Sequence, residues 1–253
     1  MPTDSTTRFS NRVEDYVKYR PSYPAVIVDF LQKKYSIPTD AIIADIGAGT
    51  GISSQLFLDK GYMVIGVEPN KEMLAKALEL LGDNEKFTIV PGTAEQTLLK
   101  DREVDMIIAG QAYHWFNVPL AKKEFERILK PKGVVALIWN ERLTQSSFEQ
   151  EYDQLIIRHA RDYVKVDHRN IDIENIRSFF HPHTCELTIF PNYQDFDFAG
   201  LKGRLLSSSY MPAAGDKGFD QMIADLATLF NRYQHNNNIR ISYDTKLYSG
   251  YFK

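Results

Sequence analysis

Between residues 41 and 139, short apolar runs alternate with longer stretches in which apolar side chains recur every three or four positions. The runs cover 41–46, 62–67, 87–90, 104–109 and 134–139. They are nearly continuous, with no polar residue at every second place. A strand that shows no polar side is buried on both faces, so the pattern predicts a parallel sheet covered by helices above and below. The periodic stretches supply those helices. Ile27, Phe30, Leu31 and Tyr35 share one face after Pro24, a residue suited to a first helical turn. Residues 52–60 form a helix stopped by Gly61. Asn70 can cap a helix that aligns Leu74, Ala77, Leu78 and Leu81. A helix over 119–130 buries Ala121, Phe125, Ile128 and Leu129, and Pro131-Lys132-Gly133 turns the chain into the fifth strand.

The pattern changes after residue 140. Phe148, Tyr152, Leu155, Ile156, His159 and Tyr163 predict a long amphipathic helix, and 164–182 reads as irregular and partly helical. A short strand follows at 185–190. Phe219, Met222, Ile223, Leu226 and Phe230 mark another helix, and 239–252 a long last strand, bulged near Asp244-Thr245. The sum is a doubly wound, mostly parallel seven-stranded α/β sheet in one domain over 1–253. Its ligand-binding core spans 36–140, and a helical cap at 148–180 is inserted before the last two strands. Ligands of such sheets sit above the carboxyl ends of the strands, so the cap is where substrate choice is expected.

Composition narrows the field. The 253 residues carry a formal net charge of −3, with 43% hydrophobic and 25% charged residues. That is ordinary for a soluble domain and offers no broad basic surface to nucleic acid. The single cysteine, Cys185, cannot form an internal disulfide. The first residues lack the apolar core of a signal peptide, and no stretch approaches the ~20 apolar residues of a membrane span. A cytoplasmic protein is expected, monomeric or homodimeric, with no membrane or nucleic-acid partner.

The chemistry lies at the end of the first strand, in Asp45-Ile-Gly-Ala-Gly-Thr-Gly51. Glycines there let a ligand lie against bare backbone. Glu68, ending the second strand about 20 residues on, is placed to accept the hydroxyls of a ribose. Asp45 argues against a dinucleotide, because a carboxylate before the turn repels a pyrophosphate. Ile52 also stands where the dinucleotide pattern has its third glycine, and no Gly-Lys-Ser/Thr follows to make a P-loop. A ligand with a ribose, an ammonium and no phosphate fits, and S-adenosylmethionine (SAM) is one.

Five pieces then stand in a familiar order: Asp45-Ile-Gly-Ala-Gly-Thr-Gly51, Gly66-Val-Glu-Pro-Asn-Lys-Glu-Met73, Gly92-Thr-Ala-Glu95, Ala109-Gly-Gln-Ala-Tyr-His-Trp-Phe116 and Arg127-Ile-Leu-Lys-Pro-Lys-Gly133. In these the chain resembles the class I SAM-dependent methyltransferases and, within them, the small-molecule group labelled type 11. Tyr16-Val-Lys-Tyr-Arg-Pro-Ser-Tyr-Pro24 and His114-Trp115 look similar to enzymes that methylate small organic acids, trans-aconitate methyltransferase among them. The resemblance implies a Rossmann-like methyltransferase fold, SAM as cofactor and a small-molecule acceptor methylated on a carboxylate or hydroxyl. It implies that Asp45 holds the methionine ammonium and that Gly47, Gly49 and Gly51 admit the methionine and sugar. Glu68 would take the ribose, Pro69 and Met73 would flank the adenine, and Thr93, Ala94 and Glu95 would meet its edge. Thr93 stands where the family often has an aspartate. Gln111 would lie near the methionine tail, and Tyr16 and Arg20 would close over the cofactor, Arg20 on its carboxylate.

For the acceptor, His114 is the candidate base, should one be needed. Tyr19, Tyr113, Trp115, Arg204 and Tyr210 are the candidate contacts, aromatic rings being suited to a sulfonium. His181-Pro-His183-Thr-Cys185 has the look of a ligand string but reads as the start of a strand, and no metal is expected. Two other readings stay open on sequence: a SAM-binding sensor without turnover, and a nicotinamide oxidoreductase.

Overall fold

A computed structural model describes residues 13–160, 173–208 and 210–252. Seven strands form one sheet in the order β3-β2-β1-β4-β5-β7-β6. They are β1 (Ile42–Ile46), β2 (Met63–Val67), β3 (Phe87–Val90), β4 (Val104–Gly110), β5 (Leu129–Arg142), β6 (Glu186–Phe196) and β7 (Ile239–Tyr251). Strands β1 to β5 pair in parallel, and β7 runs antiparallel to both β5 and β6. The mostly parallel, doubly wound expectation is the architecture found.

Each central strand feeds two apolar layers, which is why it shows no polar side. On one face Ala44, Ile46, Ile107, Ala109, Val135 and Leu137 meet Ala121, Phe125 and Ile128 of a helix over Val118–Ile128. On the other, Ile43, Val64, Met106, Ile108 and Ala136 meet three helices, Val26–Tyr35, Ile52–Leu58 and Lys71–Leu81. In chain order the helices are α1 (Val13–Tyr19), α2 (Val26–Tyr35), α3 (Ile52–Leu58), α4 (Lys71–Leu81), α5 (Val118–Ile128), α6 (Ser147–His159), α7 (Ile173–Phe180), α8 (Phe198–Leu206) and α9 (Phe219–Tyr233).

Several boundaries differ from the sequence reading. Pro131-Lys132-Gly133 does not separate α5 from β5. Strand β5 runs through it as an irregularity in its pairing with β4, with Lys132 at φ 63°. Strand β6 extends through Pro191 to Phe196, because an edge strand can leave one N–H position unpaired. Strand β7 has no bulge at Asp244-Thr245, and its register with β5 and β6 is unbroken there. Thr245 stays fully buried because its hydroxyl donates to Asn140 Oδ1 at 2.5 Å. Helix α6 begins with a capping box between Ser146 and Glu149. Tyr163, expected in the same helix, lies outside the described residues.

The segment expected as a cap divides between two layers. Ile176, Phe179 and Phe180 of α7 pack into the sheet core beside Phe125 and Phe252. Helix α6 instead joins α8, α9, Ile241 and Tyr243 in a third apolar cluster. That cluster sits against the first residues of β7, which lie alongside the carboxyl end of β5: Tyr243 pairs with Arg142.

Candidate active site

The loop after β1 turns on three glycines with positive φ, namely 73° at Gly47, 58° at Gly49 and 90° at Gly51. Their reasons differ. A Cβ on Gly47 would stand 2.6 Å from the Cβ of Ala112, so the loop after β4 presses on it. A Cβ on Gly49 would meet nothing within 4 Å. That space is the cleft. A Cβ on Gly51 would run into Leu81 of α4, so this glycine serves packing and does not line the cleft as expected.

Glu68 ties the two loops together. Its Oε2 accepts from Gly49 N at 2.8 Å and its Oε1 from Asn70 N at 2.8 Å. Asn70 in turn caps α4 through Met73 N at 2.9 Å. Burial pushes the Glu68 carboxyl up, the two backbone bonds pull it down, and Asp45 adds a smaller upward push. Each Glu68 oxygen keeps lone-pair capacity, and a vicinal diol offers two hydroxyl donors to such a carboxylate.

Around this acid the cleft is lined by Gly47, Gly49, Pro69, Asn70, Met73, Thr93, Ala94, Glu95, Gly110, Gln111, Ala112, Trp115 and Phe116. Pro69, Met73, Ala94 and Phe116 give it an apolar slot suited to a flat ring. Glu95 accepts from Asn117 N at 2.7 Å, and the Thr93 hydroxyl from Gln96 N at 3.2 Å. At the other end Gln111 sits at φ 54°, with its N bonded to Ile138 O at 2.9 Å. Its side-chain Nε2 reaches Asn140 O at 3.5 Å, and its Oε1 is buried without a hydrogen bond.

Asp45 is fully buried behind the loop and does not itself line the cleft. Ser53 and Ser54 of α3 both donate to its Oδ2 at 2.7 Å, while Oδ1 is buried without a partner. Two acceptor oxygens, Asp45 Oδ1 and Gln111 Oε1, are therefore left unsatisfied at the ends of the neighbouring strands β1 and β4. An ammonium has three donors and no acceptor, so it matches that deficit.

Residues 44–137 match the family model described as a methyltransferase domain. This segment is thus similar to a methyltransferase domain. An uncharacterized methyltransferase of Mycobacterium tuberculosis is 33% identical over 156 residues, 61% of this chain and 61% of that protein. A probable S-adenosylmethionine-dependent methyltransferase of Saccharomyces cerevisiae is 29% identical over 54% of this chain and 48% of its own length. The match thus spans about three-fifths or less of these curated relatives. A solved structure from Anaeromyxobacter dehalogenans, described as a putative type II methyltransferase, superposes with a TM-score of 0.71 at 20% identity. It covers 92% of this chain and 98% of that one, a likeness of fold.

The cleft gathers Gly47, Gly49, Glu68, Pro69, Met73, Thr93, Ala94, Glu95, Gln111 and Trp115 from the expected set. It leaves others out. Tyr113, expected at the acceptor, is 6% exposed and packs edge-on against Trp139 and Phe179, its hydroxyl on Asn175 O at 3.3 Å. Burial raises its pKa to about 12. Its partner in sequence, His114, is exposed with its ring 4.8 Å from that of Trp115, and it is not among the lining residues expected of a base. The two fall on opposite sides of one 3₁₀ turn, Tyr113–Trp115.

Arg20 donates to Ser207 O at 3.2 Å, which fastens the end of α1 to α8 and not to the cleft. Tyr16 belongs to α1, and its side chain lies outside what is described. Tyr19, Arg204 and Tyr210 gather in the third cluster, where the Tyr19 ring covers Gly203 of α8. Sequence reasoning missed Gly110, Ala112, Asn70 and Phe116 as lining residues. Asn70 announced itself only as a helix cap, and Ala112 has no chemical mark at all.

An ammonium bound beside Asp45 would make ligand affinity depend on pH. Desolvation raises its carboxyl from 3.8 to about 6, against the pull of Ser54 and Ser53. The folded protein holds this proton more tightly than the unfolded chain. The stability from the neutral form is full below pH 3.8 and is lost as pH rises through about 6, a change of about 3 kcal/mol. A bound ammonium favours the ionised form. SAM affinity is therefore expected to rise about tenfold between pH 5 and 7 in the parent and to stay flat in Asp45→Asn, read by titration calorimetry.

Proposed function

We propose that the protein binds SAM in this cleft and methylates a small molecule on oxygen, a carboxylate or a hydroxyl. The observation that supports this best is the pairing of Glu68, poised for a diol, with two orphaned acceptors suited to an ammonium. Glu68 would hold the ribose, Pro69, Met73 and Phe116 the adenine, and Gln111 with Asp45 behind it the amino group. Bound there, SAM supplies a methyl group that an acceptor oxygen takes up while the carbon–sulfur electron pair returns to sulfur as a thioether.

The chain's own task is alignment and exclusion of water. The lining side chains on the β4 side are Gln111, Ala112, Trp115 and Phe116, and none is a base. This favours an acceptor already ionised, such as the small organic acid that the resemblance of residues 16–24 implies. Trp115, 36% exposed at the rim, is the aromatic face nearest to hand for a cation.

Thermal unfolding tests the reading. SAM at about 100 times its dissociation constant is expected to add about 2.7 kcal/mol, and NAD nothing. The opposite order would remove the proposal. Conversion of SAM to S-adenosylhomocysteine that depends on added organic acids separates an enzyme from a sensor.

A further inference from the structure

The third apolar cluster holds a buried cation that no carboxylate of the described residues balances. Arg204 of α8 is 8% exposed. Its Nε meets the Tyr243 hydroxyl at 3.2 Å, and its Nη1 the hydroxyls of Ser207 and Ser208 at 3.4 Å each. Tyr243 spends its own proton on Gln194 Oε1 at 3.0 Å, and Ser207 spends its own on the Arg204 carbonyl at 2.8 Å. Both therefore turn lone pairs toward the guanidinium. They orient it without neutralising it. Its Nη2 has no hydrogen bond among the described residues.

The neighbouring cation shows what structural burial looks like in this fold. Arg142, at the end of β5, is paired with the carboxylate of Asp153 on α6. Tyr152 feels both guanidiniums. Arg142 thus has a carboxylate partner, and Arg204 has none among the described residues. A buried charge without a counter-ion is strongly unfavourable, and an anion arriving beside it would offset that cost.

Arg204 lies outside the lining of the cleft but is connected to it through the fold. Tyr243 pairs with Arg142 across β5 and β7, next along the sheet from the strand that carries Gln111. Short hydrogen-bonded steps join the two sites. Gln111 Nε2 reaches Asn140 O, Asn140 Nδ2 reaches Ser22 O at 3.1 Å, and Arg20, two residues before Ser22, reaches Ser207 O. Resting on the methyltransferase reading above, we propose that Arg204 is the recognition site for an oxyanion of the methyl acceptor, a carboxylate or a phosphate. A planar guanidinium with one free edge suits such a group, and the fixed hydroxyls set its angle.

The test uses the full chain loaded with S-adenosylhomocysteine, at constant ionic strength. Succinate, benzoate, citrate and inorganic phosphate are added in turn, with succinamide and benzamide as neutral matches. At least one oxyanion is expected to raise the melting temperature by about 3–6 °C, the size expected near ten times a dissociation constant, and neither amide should do so. The rise should vanish in Arg204→Gln and persist, smaller, in Arg204→Lys. A response to carboxylates alone, or to phosphate alone, assigns the source. The inference is overturned if no oxyanion separates from the amides, or if Arg204→Gln responds as the parent does. If Arg204→Gln does not fold, the parent's contrast and the Arg204→Lys response decide. SAM by itself is measured first: no response there sinks the donor reading, whereas a donor response with no oxyanion response sinks only this inference.

Discussion

Glu68→Gln is expected to weaken SAM binding by at least about 100-fold while the fold persists. The carboxylate is an acceptor on both oxygens, and both face backbone N–H groups, of Gly49 and Asn70. An amide of the same shape must turn its NH₂ toward one of these donors. That loop loses its tie, and a ribose loses one acceptor at the same time. Hydrogen bonds to a charged partner contribute about 1.5–3 kcal/mol each, so one lost in the loop and one to the ligand exceed a hundredfold in affinity. Calorimetry reads the affinity, and near-ultraviolet circular dichroism checks the packing. Unchanged affinity would remove Glu68 from the site.

Gly51→Ala is expected to act through stability and not through contact with a ligand. The residue sits at φ 90° as the N-cap of α3, where an L side chain is strained. Its new methyl would also meet Leu81, a buried side chain of α4. Left-handed strain and overpacking together are worth about 2–4 kcal/mol, a fall in melting temperature of roughly 4–16 °C for a chain of this length. Trimming the obstacle should return part of it, so Gly51→Ala with Leu81→Ala is expected to lose less than the sum of the two single changes. Gly49→Ala is the contrast, since its methyl would enter open space. It should cost about 1–2 kcal/mol of stability from φ alone yet block the cleft, so donor binding fails in a protein that still folds.

The two glycines show where sequence reading reaches its limit. Both stand in one motif, and the family resemblance implied a place beside the ligand for both. Only the path of α4 reveals that Leu81 occupies the space over Gly51, while nothing occupies the space over Gly49. His114 and Tyr113 repeat the lesson. Adjacent residues in a 3₁₀ turn point in different directions, and the turn sends Tyr113 into the core against Trp139 and leaves His114 exposed. Asp45 was legible as an acid in the right place. That it lies behind the loop, held by two serines of α3, was not.

By itself the sequence determined the five parallel strands, the helices that cover them, and the acids and glycines at the strand ends. These follow from local rules. A strand covered on both faces is apolar along most of its length, and a turn with positive φ favours glycine. The tertiary structure decided which marked residues meet. It set Glu68 between two loops, put Ala112 against Gly47, and drew Arg20 away to Ser207. It also placed α7 in the sheet core and α6 in the cluster around Arg204. Those outcomes depend on how distant segments fill one another's space, and no periodicity along the chain encodes that.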